Sequence, residues 1–433
     1  MKLGRPYWRL WSAHTISNLG DGISAIAYPW LASAVTRSPI LIALIAVLSR
    51  LPWLIFTLVA GALTDRFDRK KIIVAMDAFR GALTVVVAIA VWSQRNALPN
   101  LNQVATHSQV STNVGLYCLI AIAALLFGFA EVLRDNTAQT LLPSVVEKEN
   151  LEKANGRLWS VEYLMNSLIG PPLGSFLIGL AVFLPFFIDA TTFFFSAALI
   201  ATLAIKKPVP ESAPTPQRSI RADIKEGYTW LWSHELFRPM AIILGALNLL
   251  NGMSTATFIL FAQEVLQTSV FVFAILGTAG AIGGTVAGVL APKLIARIGG
   301  GKTIALALIV GPISNAVIGF TSTWEIVWVV TAFWIFFSVA WNVVTVSLRQ
   351  SVVPAHLLGR VNSVYRFFGW GSIPLGSLLG GVVVSISGNF LTRESSLRAP
   401  YFLASILGIF IYIFAAPRLT TEKLEEAKKE ASA

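Results

Sequence analysis

Apolar residues run along this chain in stretches about 20 long, divided by short clusters of charge, and the rhythm repeats from end to end. Stretches long enough to cross the hydrocarbon as helices lie at roughly 11–33, 40–63, 72–92, 114–134, 158–181, 184–205, 239–262, 269–291, 303–321, 325–347, 361–386 and 399–416. Twelve membrane-spanning helices are expected. None of the stretches alternates with the period of two that a lipid-facing β-strand requires, so an all-α membrane protein is expected and a barrel is not. The rhythm breaks once, between the sixth and seventh spans. There Lys206 to Arg238 opens with a Pro-rich stretch, and then Ile220, Ile224, Tyr228 and Leu231 recur at helical spacing opposite Arg221, Asp223, Lys225 and Glu226, as in a helix lying in the membrane interface. The expected organisation is a six-helix bundle over 1–205, a linker with an amphipathic helix over 206–238, a second six-helix bundle over 239–416 and a tail over 417–433.

Composition agrees with that pattern: 55% of residues are hydrophobic and 13% charged, and the mean hydropathy is +0.70. The net charge of +11 would point to nucleic acid in a soluble chain, yet here it sorts by side of the membrane. With the N-terminus placed in the cytoplasm, the inner segments hold 27 Lys and Arg, and the outer loops hold four, Arg37, Arg95, Arg393 and Arg398. Under the positive-inside rule this places both termini in the cytoplasm and removes the case for nucleic acid. Lys2, Arg5 and Arg9 precede the first span as in a signal peptide, but that span is too long and is broken by Asn18, Gly20, Asp21 and Gly22, which predicts a retained helix. The one cysteine, Cys118, excludes an intramolecular disulfide.

The two halves repeat weakly. Gly61-Ala62-Leu63 recurs as Gly288-Val289-Leu290, with Pro292 where the first copy has Asp65. Asn155-Gly156-Arg157 leading to Pro172-Leu173-Gly174 recurs as Gly359-Arg360-Val361-Asn362 leading to Pro374-Leu375-Gly376.

Candidate chemistry begins in the loop between spans two and three. Asp65, Arg66, Arg69, Lys70 and Lys71 crowd together where one helix ends and the next begins, so the acid can cap a helix N-terminus and pair with arginines. The loop Gly61-Ala62-Leu63-Thr64-Asp65-Arg66-Phe67-Asp68-Arg69-Lys70 resembles the signature between helices two and three of the major facilitator superfamily. Asp77, Arg80, Glu131, Arg134 and Arg157, read near the inner ends of their spans, could join Asp65 in a cytoplasmic gate; alternatively these basic residues only hold loops inside.

Within the bilayer, His14, Asn18, Asp21 and Tyr28 fall on one face of the first helix, which should line a cavity. An intramembrane Asp costs about 2.5–3.5 kcal/mol to insert and calls for a partner. By depth that partner is Arg50: Asp21 lies roughly 15 Å and Arg50 roughly 20 Å from the cytoplasmic ends of their helices. The pair is either a proton-coupling site or a fixed strut, with Glu162 the next acid to consider. At the corresponding place the second half offers amides, Asn248 and Asn251. Trp334, Trp341 and Asn342 on span ten could line a pocket for an amphiphile. In the fifth span Gly170-Pro171-Pro172-Leu173-Gly174 predicts a kink and close helix packing; it resembles in part the superfamily's antiport motif.

Gly299-Gly300-Gly301-Lys302-Thr303 mimics the end of a phosphate loop, but Ala296 stands where its first glycine is needed and no nucleotide domain surrounds it. The four histidines are scattered, and no nucleophile or carboxylate pair suggests hydrolysis, so neither an enzyme, a cofactor nor a metal site is expected. Ser17-Asn18-Leu19-Gly20-Asp21-Gly22, the Asp65 loop, Arg134 through Pro143 and Gly359-Arg360-Val361-Asn362-Ser363 together resemble the major facilitator branch of enterobactin, drug and siderophore exporters. That resemblance implies two parallel six-helix bundles with a site between them near the midplane. It further implies a monomer in the bacterial inner membrane that exports a small amphiphilic compound in exchange for protons. An importer, a lipid flippase and a non-transporting sensor or scaffold are the alternatives.

Overall fold

The computed structural model describes residues 3–99, 111–146, 150–203 and 220–432; some side chains within them, those of Asp65 and Arg66 included, lie outside the described residues. The described residues contain helices and no strand. The first half runs α1 Arg5–Val35, α2 Pro39–Ile55, α3 Thr57–Arg66, α4 Arg69–Ser93, α5 Val114–Val145 and α6 Leu151–Glu162; a π-helical segment, Tyr163–Ile169, then leads to α7 Gly170–Leu180 and α8 Leu184–Ala201. Next come α9 Ile220–Ser233, α10 Phe237–Thr255, α11 Phe258–Glu264, α12 Val270–Ile298, α13 Gly300–Phe320, α14 Trp324–Val352, α15 Ala355–Ser387, α16 Arg393–Ala415 and α17 Thr421–Ser432.

Among the described residues, ten helical runs are long and apolar enough to cross a membrane. Two of the twelve expected spans fall outside that test for physical reasons. The polar face of α1 dilutes its hydropathy, and a turn at Phe56 divides the second span into α2, 17 residues long, and α3. Helix starts follow local chemistry. Asp68 caps α4 by accepting from the Lys71 backbone N–H at 3.0 Å, and Asn113 caps α5 by accepting from Leu116 N–H at 3.1 Å.

Two compact units emerge, one of Met1–Ser212 with Ala262–Thr278, the other of Ala213–Phe261 with Ala279–Ala433. In the first unit, α4 packs on α8 and α5, α1 packs on α8 and α7, and α2 packs on α5. In the second, α10 packs on α15, and α13 on α14 and α16. The linker helix α9 and the tail helix α17 join the second unit's apolar core, which takes in Leu231, Phe237, Trp341, Leu348, Tyr365 and Leu424. Glu226 of α9 pairs with Arg360 of α15 at 2.5 Å.

In both units glycines bring a helix pair into close backbone contact. Pro171 and Pro172 have no N–H to donate, and the chain takes up the irregularity as the π-helical Tyr163–Ile169. Immediately after it, Gly170 and Gly174 approach α1 so closely that a side-chain carbon on either would meet the backbone of Gly22 or Ile23. The second unit makes the same contact between Gly376 and Gly380 of α15 and the backbone of Leu249 and Met253 of α10.

Candidate functional site

The middle of the first unit holds a buried charge cluster. Asp21 stands at the middle of α1 and Arg80 at the middle of α4. Arg80 Nη2 meets Asp21 Oδ1 at 2.5 Å, with side-chain exposures of 2% and 26%. The guanidinium carbon lies 4.4 Å from the Phe127 centroid and 4.1 Å from that of Phe193, two rings that meet edge to face 5.5 Å apart and so approach it from adjacent directions. One turn earlier on α4, fully buried Asp77 faces Arg80 Nη1 at 3.8 Å and Arg134 Nε at 3.3 Å, and accepts a hydrogen bond from Ser196 Oγ at 2.7 Å. Arg134 also meets Asp135 at 3.1 Å, and Glu131 lies within electrostatic reach of Arg80 and Asp21. Two cations thus bridge helices α1, α4 and α5 through their acids, in a setting where a lone charge is costly.

This arrangement corrects the expected Asp21–Arg50 pair. Helix α2 packs on α5, with Pro52 against Gly128, and Arg50 is exposed, within electrostatic reach of Glu131 but not paired with Asp21. Depth alone matched the two residues; rotation about the helix axis separates them. Arg80 likewise belongs at mid-helix, not near the inner end where the gate reading placed it.

The remaining gate candidates are dispersed. Lys70 Nζ donates to the Leu203 carbonyl at 2.9 Å, tying the start of α4 to the end of α8. Arg69 begins α4. Arg157 is exposed and sits 5.3 Å from the Trp8 ring, away from the cluster. Asp65 and Arg66 lie outside the described side chains. On α1, His14 Nε2 approaches Glu162 Oε2 at 3.3 Å, so Glu162 is engaged one helix away from Asp21. Asn18 donates to the His14 carbonyl, and Tyr28 meets Phe186 edge-on at 5.1 Å.

One acid of this region was missed in the sequence. Asp189 of α8 is 0% exposed and accepts from Ser24 Oγ at 2.5 Å. The rule that singled out Asp21, an acid inside an apolar stretch, applies equally to Asp189.

Also within the first unit, Arg37 after α1 is buried and donates to the side chain of Gln263, whose Nε2 donates to Ser33 Oγ at 2.9 Å; Glu264 stands 3.8 Å from Arg37.

The second unit is built otherwise. Asn248 Nδ2 donates to the Gly369 carbonyl at 3.1 Å, and Asn251 is half-buried one turn on. Trp334 is half-buried, and Asn342 is exposed and donates to Ser338. Trp341 is a core residue rather than a pocket wall, 4% exposed among Ile304, Leu308 and Leu348. Arg349 lies 3.9 Å from the Tyr365 ring and donates to Asn362 at 3.2 Å. Among the described residues no group of three metal-ligating side chains converges.

The chain matches the Major Facilitator Superfamily over residues 10–377. It is 25% identical over 392 residues to the multidrug efflux pump Tap of Mycobacterium tuberculosis (strain ATCC 25618 / H37Rv), covering 88% of each chain. It is 23% identical over 405 residues to the enterobactin exporter EntS of Shigella boydii serotype 4 (strain Sb227), covering 93% of this chain and 89% of that one. Among solved structures, a bacterial homologue of the iron transporter ferroportin in an inward-facing state superposes with a TM-score of 0.69 at 15% identity, over 96% of this chain and 100% of the other.

Proposed function

Because the chain belongs to the Major Facilitator Superfamily and is therefore a multi-span membrane transporter and not an enzyme, we propose that it exports small amphiphilic compounds in exchange for protons. The observation that carries this reading is the Asp21–Arg80–Asp77–Arg134 cluster at the middle of the first unit. In low dielectric each acid is costly away from a cation, and neutralising Asp21 with a proton frees Arg80 to lean on Asp77. A proton gradient can therefore bias which helices the guanidinium ties together, and alternating access needs such a biased equilibrium. The efflux pump and the enterobactin exporter among its relatives support outward transport of a compound of that class. Asp65, in the charged loop before α4, serves in this reading as the latch of a cytoplasmic gate. The protein works as a monomer in the bacterial inner membrane with both termini in the cytoplasm.

Inverted membrane vesicles containing the protein test the proposal. With an amphiphilic dye and a panel of catecholate siderophores as probes, uptake should require an imposed proton gradient and collapse when a protonophore dissipates it. Uptake that persists at full rate without the gradient would remove proton coupling, and uptake seen only in right-side-out vesicles would reverse the direction.

A further inference from the structure

Asp189 is a buried acid at the middle of the first unit to which neither the cluster nor the proposed mechanism gives a role, and its surroundings are specific. The side chain has no exposure, and its Oδ2 accepts the Ser24 hydroxyl at 2.5 Å. Thr192 Oγ1 stands 3.5 Å from Oδ1, with its own hydrogen spent on the Asp189 carbonyl at 2.7 Å. A side-chain carbon on Gly20 would strike Oδ1 itself, so the carboxyl is pressed against the α1 backbone beside Asp21.

The charges facing it can be enumerated by element. Helix α1 presents Asp21 and Tyr28, α4 presents Asp77 and Arg80, and α7 carries no titratable residue. Beyond Arg80, α5 adds Glu131 and Arg134. Among the described residues the cation next to Asp189 is Arg80, whose Nη2 is taken by Asp21, whose Nη1 faces Asp77 and which Phe127 and Phe193 crowd from adjacent directions. An ionised Asp189 would be a fully buried anion beside another anion, with one good donor and no counter-ion.

We infer that Asp189 is a second protonation site of the transporter beside Asp21: its carboxyl holds a proton in the conformation seen here and releases it during the cycle, with Ser24 as its hydrogen-bonding partner. This rests on the proton-coupled reading above. On release, the Asp189 O–H bond breaks, the proton passes to water reaching the partly exposed Asp21, and the carboxylate left behind competes for Arg80. Arg80 has a spare means of responding, since its Nε is buried without a hydrogen-bond partner.

Infrared titration of the purified full-length protein tests the site without requiring transport. Wild type should show a protonated-carboxyl carbonyl band at neutral pH that disappears on alkaline titration; Asp189→Asn should lose it entirely, while Asp21→Asn keeps it. Ser24→Ala should shift the band's frequency without removing it, a check that stands even if Asp189→Asn is poorly expressed. A band that survives in Asp189→Asn, a wild type with no such band at neutral pH, or a band indifferent to Ser24→Ala would overturn the assignment. Loss of the band in Asp189→Asn, alongside dye uptake that ignores the proton gradient in wild type, would instead leave the protonated site standing and remove the coupling reading.

Discussion

The two units share a scaffold and differ in chemistry. Each brings two helices into backbone contact through a pair of glycines, Gly170 and Gly174 against α1 in one, Gly376 and Gly380 against α10 in the other. Yet the first buries Asp21, Asp77, Arg80, Arg134 and Asp189 around its centre, where the second places Asn248, Asn251 and an apolar core. One buried cation of the second unit, Arg349, has an aromatic face and an amide for company, and another, Arg398, pairs with Glu394 of its own helix at 2.8 Å. Helix packing can be duplicated with the fold, since small residues at a crossing cost little. A titratable network cannot be duplicated so cheaply, because each buried charge must be compensated. In the proposed proton-coupled reading, the asymmetry assigns energy coupling to the first unit and leaves the second free to serve shape.

The sharpest way to break this contrast is to remove the central cation. Arg80→Gln leaves Asp21 and Asp77 short of a partner and should destabilise the protein by about 3–5 kcal/mol, seen as a large loss of membrane abundance and of thermal stability. Combining it with Asp21→Asn should restore part of the abundance. Equal abundance of the single and double variants would mean that the pair contributes nothing. Substituting the glycines instead probes what the units share: Gly174→Ala and Gly376→Ala should each cost about 1–3 kcal/mol by forcing backbones apart, read as matching falls in melting temperature. A fall confined to one unit would deny the shared scaffold.

Smaller effects sharpen the comparison further. Asp65→Asn should reduce transport several-fold at unchanged abundance, because an amide keeps the shape and loses the charge, whereas Pro292→Ala at the corresponding place should leave the rate alone. Arg349→Gln should cost only about 0.5–2 kcal/mol, the scale of a cation–π contact, well below Arg80→Gln by the same melting measurement. The mildest effect concerns pH. His234, outside the spans, is packed between Trp230 and Phe237 and accepts the Leu236 N–H on Nδ1 at 3.2 Å. Burial holds its imidazole below the ordinary value, against the opposing pull of Glu430 and Glu235. The neutral ring is the form the fold prefers, so its contribution is complete above about pH 6.5 and is lost as pH falls through the lowered folded value. Amide exchange at residues 234–237 should accordingly quicken on acidification, and His234→Gln should abolish that dependence.

What was legible in the sequence were quantities that run along a helix axis. Span positions, the linker helix, the close-packing glycines of the fifth span and the significance of Asp21 all follow from hydropathy and spacing. Partners were not legible, because they depend on rotation and on which helices are neighbours. Arg50 matched Asp21 in depth but comes within reach of Glu131 instead, while Arg80, on a helix two spans away, reaches the acid across the core. Trp341 reads as an aromatic on a polar-flanked face, and only the packing of α13 and α14 shows it to be core. Asp189 was legible in principle and was passed over beside more conspicuous neighbours.

The two rings around Arg80 carry a consequence for what residue 80 can be. Phe127 and Phe193 meet edge to face and form an aromatic corner around the guanidinium, while its two Nη atoms reach carboxylates. Lysine would supply the same formal charge as a round, tightly hydrated head with no flat surface to offer the rings. It would bring water into the driest part of the unit or abandon one of its two acids. The position thus calls for flatness as much as for sign, because a planar ion can meet both rings and both acids at once.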